Sequence, residues 1–249
     1  MTELQQSIAS LYETFSRYPR PSSIECCPCG CTKSDATVQL VSVPLHELSG
    51  TDLEDYACCA LTTQGSLDDF RYLLPRLFQV ISKEFLSCNP QIIFGKLAYA
   101  RWVSWLPDEV SAVRYYLRSL WRAALMSYPL SESVSIFPDI EALISSIAST
   151  GESLEPYLLI WSQTTNVEAN QHLIQFVTMC GADFVDGRTL QDGFWEDSTA
   201  QADELRQWLL SLDTMRRIAR STHLLREDGY EHLFEPAFMV LQNESEAVQ

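Results

Sequence analysis

Glycine is scarce in this chain, with 9 in 249 residues, which argues against a fold built on many tight turns. Basic side chains are also few: 17 stand against 33 acidic ones, a formal net charge of −16. A field of that sign repels phosphate backbones and anionic lipid surfaces, so neither nucleic acid nor membrane is expected as a partner. No apolar run approaches the roughly 18 uninterrupted residues of a membrane span. The opening residues Met1-Thr2-Glu3-Leu4-Gln5-Gln6 lack the basic stretch and apolar run of a secretory signal, so a cytoplasmic protein is expected. The nucleophile elbow G-x-S-x-G, the Walker A loop and the dinucleotide G-x-G-x-x-G are all missing. His46, His172, His223 and His232 form no i, i+4 pair and no H-E-x-x-H. The expectation is a protein that is not an enzyme.

What is present is core material, 46% hydrophobic and 11% aromatic, arranged with a helical period. Leu53, Tyr56, Ala57, Ala60 and Leu61 make one stripe, and Leu67, Phe70, Leu74, Leu77, Phe78 and Ile81 another. Val110, Val113, Leu117, Leu120 and Ala124 repeat the pattern, as do Ile140, Leu143, Ile144 and Ile147, then Leu154, Tyr157, Leu158 and Trp161. Leu205, Trp208, Leu209 and Leu212 close the series. Start signals fall beside these stripes: Thr51 with Glu54, Ser66 with Asp69, Ser198 with Gln201, Asp228 with Glu231, and proline at Pro90 and Pro107. Pro75 interrupts its stripe and is expected to kink that helix. The period predicts an all-α fold of antiparallel helical pairs, an irregular α-solenoid or a multi-helix bundle. It reads as a single domain over 1–249, with residues 19–48 an irregular Cys-rich insertion after the first helix. Within that insertion the alternation of Thr37-Val38-Gln39-Leu40-Val41-Ser42-Val43 suits a short strand or an extended loop. Gly181 to Thr199 reads as a surface loop.

Of eight cysteines, four crowd into Cys26-Cys27-Pro28-Cys29-Gly30-Cys31. Without a secretory signal, such residues read as thiols or metal ligands before disulfides. Cys26 and Cys29 form a C-x-x-C, and zinc needs four ligands in a tetrahedron. The candidate set is Cys26, Cys29, Cys31 and His46, giving one zinc ion or none as cofactor. C-x-P-C also resembles the active turn of thiol–disulfide proteins, whose thiolate needs a depressed pKa. The bland reading is a tight turn whose small thiols pack under the first helices. Cys88 and Cys180 stand alone and read as buried.

The acidic excess is uneven. Between Ala123 and Leu205 thirteen acidic residues face Arg188 alone, so this stretch carries −12 and the rest of the chain −4. Solvation explains such a surface, and so does a landing site for a basic protein. Glu152, Glu155, Asp183, Asp186, Asp192 and Glu196 are the candidate partner-binding residues. Arg114, Arg118 and Arg122 form a basic stripe whose simplest partners are the acids that follow it in sequence.

Tyr12-Glu13-Thr14-Phe15, Ile24-Glu25-Cys26-Cys27-Pro28-Cys29, Pro44-Leu45, Leu53-Glu54-Asp55-Tyr56-Ala57 and Asp69-Phe70-Arg71-Tyr72-Leu73-Leu74-Pro75-Arg76-Leu77 together carry a resemblance. This first third resembles a group of uncharacterised bacterial helical proteins with a Cys-Pro-Cys loop and a D-F-R-x-x-L-P-R-L helix. The chain departs from them in carrying Cys26 and in placing Gly30 between Cys29 and Cys31. The resemblance implies a bacterial origin and a helical fold, and no activity. The leading expectation is a non-enzymatic interaction protein with an acidic helical surface, such as an immunity or antitoxin-like protein holding a basic toxin domain. The alternative is a zinc or thiol-redox protein built on Cys26 to Cys31.

Overall fold

A computed structural model describes residues 1–28, 34–84, 86–130, 136–186, 193–227 and 231–248. The fold is all-α, as the period predicts: the described residues form helices, and only isolated bridges at Cys26–Gln64 and Ala60–Gln64 have β geometry. None of the described helices is long and apolar enough to cross a membrane. Where the sequence shows no boundary, the chain divides into two compact units, Met1–Ala123 with Glu132–Pro138, and Ala124–Ser131 with Asp139–Gln249.

The first unit holds α1 (Glu3–Phe15), α2 (Ser34–Ser42), α3 (Gly50–Cys59), α4 (Leu67–Ile81), α5 (Pro90–Tyr99) and most of α6 (Pro107–Leu125). Its centre is a run of rings: Phe78 stacks on Phe94 at 5.5 Å and on Tyr116 at 4.7 Å, and Trp105 meets both Phe15 and Phe70 edge-on. The stripe of α4 is fully buried from Phe70 to Ile81, with Pro75 inside a continuous helix. Ser66 and Asp69 close a reciprocal capping box at its start, as their spacing predicts. At α3 the box is Ser49 with Asp52, not Thr51 with Glu54, so that helix begins two residues earlier than the sequence suggests. Pro90 begins α5 and Pro107 begins α6.

One local expectation for this unit is overturned. Residues 37–42 lie in the helix α2 rather than in a strand or extended loop, and Leu40 alone of that alternating run is fully buried while Val38 is exposed. One anchoring residue per turn suffices for a short helix, so alternation over so short a run does not discriminate. Two members of the arginine stripe of α6 have contacts within this unit. Arg122 pairs with Glu3 of α1 at 2.6 Å, and Arg114 lies over the Trp102 ring at 5.6 Å.

The second unit holds α7 (Ile140–Ser149), α8 (Glu155–Gln163), α9 (Val167–Phe176), α10 (Ala182–Val185), α11 (Thr199–Leu210), α12 (Leu212–Ser221) and α13 (Glu231–Val248). A π turn at Val177–Gly181 joins α9 to α10. Helix therefore runs on to Val185, where a loop from Gly181 is expected from the sequence. Burial of Phe184 and Val185 explains the extension. Phe184 meets Phe176 at 6.1 Å and Trp195 at 5.1 Å, and Phe176 meets Trp161 at 6.4 Å, which makes one aromatic spine. Leu212 is exposed because Ser211 ends α11 and caps α12, breaking the stripe of Leu205 and Leu209.

Candidate functional site

In the first unit, backbone hydrogen bonds pin Glu25 and Cys27, at the start of the cysteine run, to the α3–α4 turn. Cys27 N donates to Thr63 O at 2.9 Å and Gly65 N donates to Glu25 O at 2.8 Å. Gly65 makes this close approach possible: its φ is +72°, and a Cβ there would sit 3.3 Å from Tyr56 and Asp69. A cleft of about 510 Å³ opens over the joint, lined by Ser23, Glu25, Cys26, Gln64, Ser66 and Asp69 among others. Beneath it lie polar atoms with no partner: both amide atoms of Gln64, the Thr63 hydroxyl and the Tyr56 hydroxyl.

Cys26 is a free, exposed thiol on the rim, and Cys59 is a second free thiol at the end of α3. Beside Cys59, the buried Lys96 amine donates to Thr62 Oγ1 at 3.3 Å. Burial pulls the Lys96 pKa down, and Cys59 pushes it back up. The reading of the cysteines as thiols or metal ligands before disulfides is corrected here for three of them. Cys58 and Cys88 are bonded across a sequence separation of 30, with Cα atoms 5.6 Å apart, and Cys27 is disulfide-bonded as well. Cys88 is thus buried as expected but not a lone thiol, because folding carries the segment before α5 onto the face of α3.

Of the candidate zinc ligands, Cys29 and Cys31 lie outside the described residues. His46 is exposed, and its ring stacks on Tyr12 at 4.1 Å. Among the described residues no group of three His, Cys, Asp or Glu side chains is placed to hold a metal ion.

In the second unit, the acidic residues divide into internal and external sets. Glu141 is held inside by Trp195, whose Nε1 donates to its carboxylate at 2.8 Å. Burial pushes the Glu141 pKa up, and the Trp195 hydrogen bond partly reverses the shift. Glu204 accepts from the backbone N–H of Leu154 at the start of α8. Glu152 is buried at 9% exposure, which withdraws it from any outer face. Glu155, Asp183, Asp186 and Glu196 are exposed, as are Asp197 and Asp203, while Asp192 lies outside the described residues. Three described cations of this unit make polar contacts. Arg206 pairs with Glu244 at 3.1 Å, Arg216 with Asp213 at 3.9 Å, and Arg217 donates to three oxygens.

A second cleft, of about 470 Å³, lies where α8, α9 and α12 meet, and the sequence reading does not include it. Arg217, Arg220 and His223 line it with Asp213, Asn170 and three hydroxyl residues. Its signal in the sequence was the run Arg216-Arg217 with Arg220, a knot of positive charge just past the acidic stretch.

No family model, no curated protein and no solved structure matches the chain.

Proposed function

We propose that the protein is a non-enzymatic binding module whose second unit docks a basic protein through an acidic helical surface. The observation that carries this reading is the division of charge just described. Folding turns Glu141, Glu152 and Glu204 to internal roles, yet Glu155, Asp183, Asp186, Glu196, Asp197 and Asp203 are exposed. Exposed apolar residues stand beside these acids: Leu159 one turn from Glu155, Met179 one turn before Asp183, and Phe194 two residues before Glu196. Charge steers a cationic partner, and side chains of this kind supply the contact area that charge alone does not. An immunity or antitoxin-like protein neutralising a basic toxin domain is the concrete form.

The test is the joint reversal Glu155→Lys, Asp183→Lys, Asp186→Lys and Glu196→Lys. Affinity for the partner recovered from the native host should fall at least tenfold, about 1.4 kcal/mol, with helicity unchanged. Failure to recover any protein partner at low ionic strength, where screening is weakest, would discard the reading.

A second reading has its own support. The rim thiol Cys26 stands over a cleft whose floor carries unpartnered buried polar groups, as a site for zinc or for thiol–disulfide exchange would. Replacing Cys26 and Cys29 by serine should then abolish metal content or redox activity, and an unaffected double variant eliminates it.

A further inference from the structure

The cleft between α8, α9 and α12 holds a cation that no carboxylate among the described residues neutralises. Arg217 is half-buried. Its guanidinium donates from Nε to Asn170 Oδ1 at 2.6 Å, from one Nη to Trp161 O at 2.6 Å, and from the other to Thr164 O at 2.7 Å. All three acceptors are uncharged, and burial lowers the Arg217 pKa. A guanidinium has five N–H groups, so one on each Nη is left over.

One turn on, Arg220 spends its Nε on Arg216 O at 3.1 Å, and the Nδ1 edge of His223 lies 3.1 Å from Arg220 O. Asp213, Arg217, Arg220 and Ser221 are spaced i, i+4, i+7 and i+8, so all four share the face of α12 that lines the cleft. Among the described residues neither Arg217 nor Arg220 has a carboxylate within ion-pair distance. Asp213, the one acid on the rim among the described residues, has a side chain 99% exposed and is screened by water.

Capping the last carbonyls of α8 accounts for the presence of Arg217. It does not account for a second arginine and a histidine on the same cleft, where Asp213 is the one acid among the described lining residues. A desolvated cation without a counter-charge is costly, and a bound anion removes that cost. Two guanidinium forks favour a planar or tetrahedral oxyanion over a halide. At about 470 Å³ the cleft exceeds what bare phosphate fills and lies in the range of small-molecule sites.

We propose that this cleft binds a small organic oxyanion, a phosphate- or carboxylate-bearing molecule, held by Arg217 and Arg220 with His223 and the hydroxyls of Thr165 and Ser221 at its edge. The site is independent of the acidic docking surface, and either stands without the other.

The test is calorimetric titration of the whole protein with inorganic phosphate and, separately, with malonate, in chloride buffer at constant ionic strength. One saturable site per chain is expected, and the tighter probe identifies the headgroup class. Arg220→Gln, an exposed change that leaves helicity intact, should weaken that probe about tenfold, the scale of one charge-assisted hydrogen bond. His223→Gln should weaken it less. Arg217→Gln is not the primary variant, because it also uncaps α8. The proposal is overturned if neither probe gives a saturable heat, or if Arg220→Gln binds as the unaltered protein does.

Discussion

Trp161 shows how much one side chain does in the second unit. It is fully buried, donates from Nε1 to Ala169 O at 3.0 Å, stacks on Trp208 at 4.9 Å and touches Phe176 edge-on. Its ring holds α8, α9 and α11 together, and its own carbonyl accepts from Arg217. Trp161→Ala should cost about 3–5 kcal/mol, read from the urea midpoint of unfolding. A change below about 1 kcal/mol would mean that the spine repacks around the gap. The stripe Leu154, Tyr157, Leu158, Trp161 made this burial legible, because a helix has one inward face. Nothing in the sequence distinguished Glu141 and Glu152, which turn inward, from Glu155, which does not. Three acids within fifteen residues look alike until a tryptophan N–H or a packed neighbour claims one of them.

Among the helices, α4 is the best specified from sequence. Its capping box, its stripe and the acids Asp68 and Asp69 in its first turn all agree. Asp69 Oδ2 accepts from both the backbone N–H and the hydroxyl of Ser66, while Ser66 Oγ accepts from Asp69 N. Ser66→Ala should therefore lower stability by about 1 kcal/mol, measured as a shift in thermal midpoint with helicity retained. Ser66→Asp should recover most of that loss by capping the same N–H, and this rescue separates a capping role from a packing one. At α2 and α10 the sequence reading failed for one reason. Both are short, and their helical state rests on the burial of Leu40 in one and of Phe184 and Val185 in the other. Intrinsic helical preference over four to nine residues is too weak to show through.

For the whole molecule, the buried and half-buried tyrosines of the first unit set an alkaline limit. Burial raises the pKa of Tyr12, Tyr56, Tyr72 and Tyr116, and together with a hydrogen bond to Glu109 it pushes Tyr18 up to about 12. The unfolded chain releases these protons near pH 10 and the folded chain holds them longer. The stability they contribute is fully present below about pH 10 and is lost as pH rises toward about 12 and beyond. Absorbance at 295 nm should show only part of the tyrosines ionising before helicity is lost, with the thermal midpoint falling steadily above about pH 10. Ionisation of all tyrosines near their ordinary value with the fold intact would refute this.

Sequence by itself determined the helical class, the main buried stripes, the start of α4 and the acidic excess of the second unit. Each of these is a local or summed property: a 3.6-residue period, a four-residue cap, a net charge. The tertiary structure alone decided which residues meet across long separations. It bonded Cys58 to Cys88, set Glu25 and Cys27 on the α3–α4 turn, turned Arg122 toward Glu3 and placed Arg217 and Arg220 on an open cleft. Such pairings depend on how whole helices pack, because partners tens of residues apart leave no periodic trace in the chain.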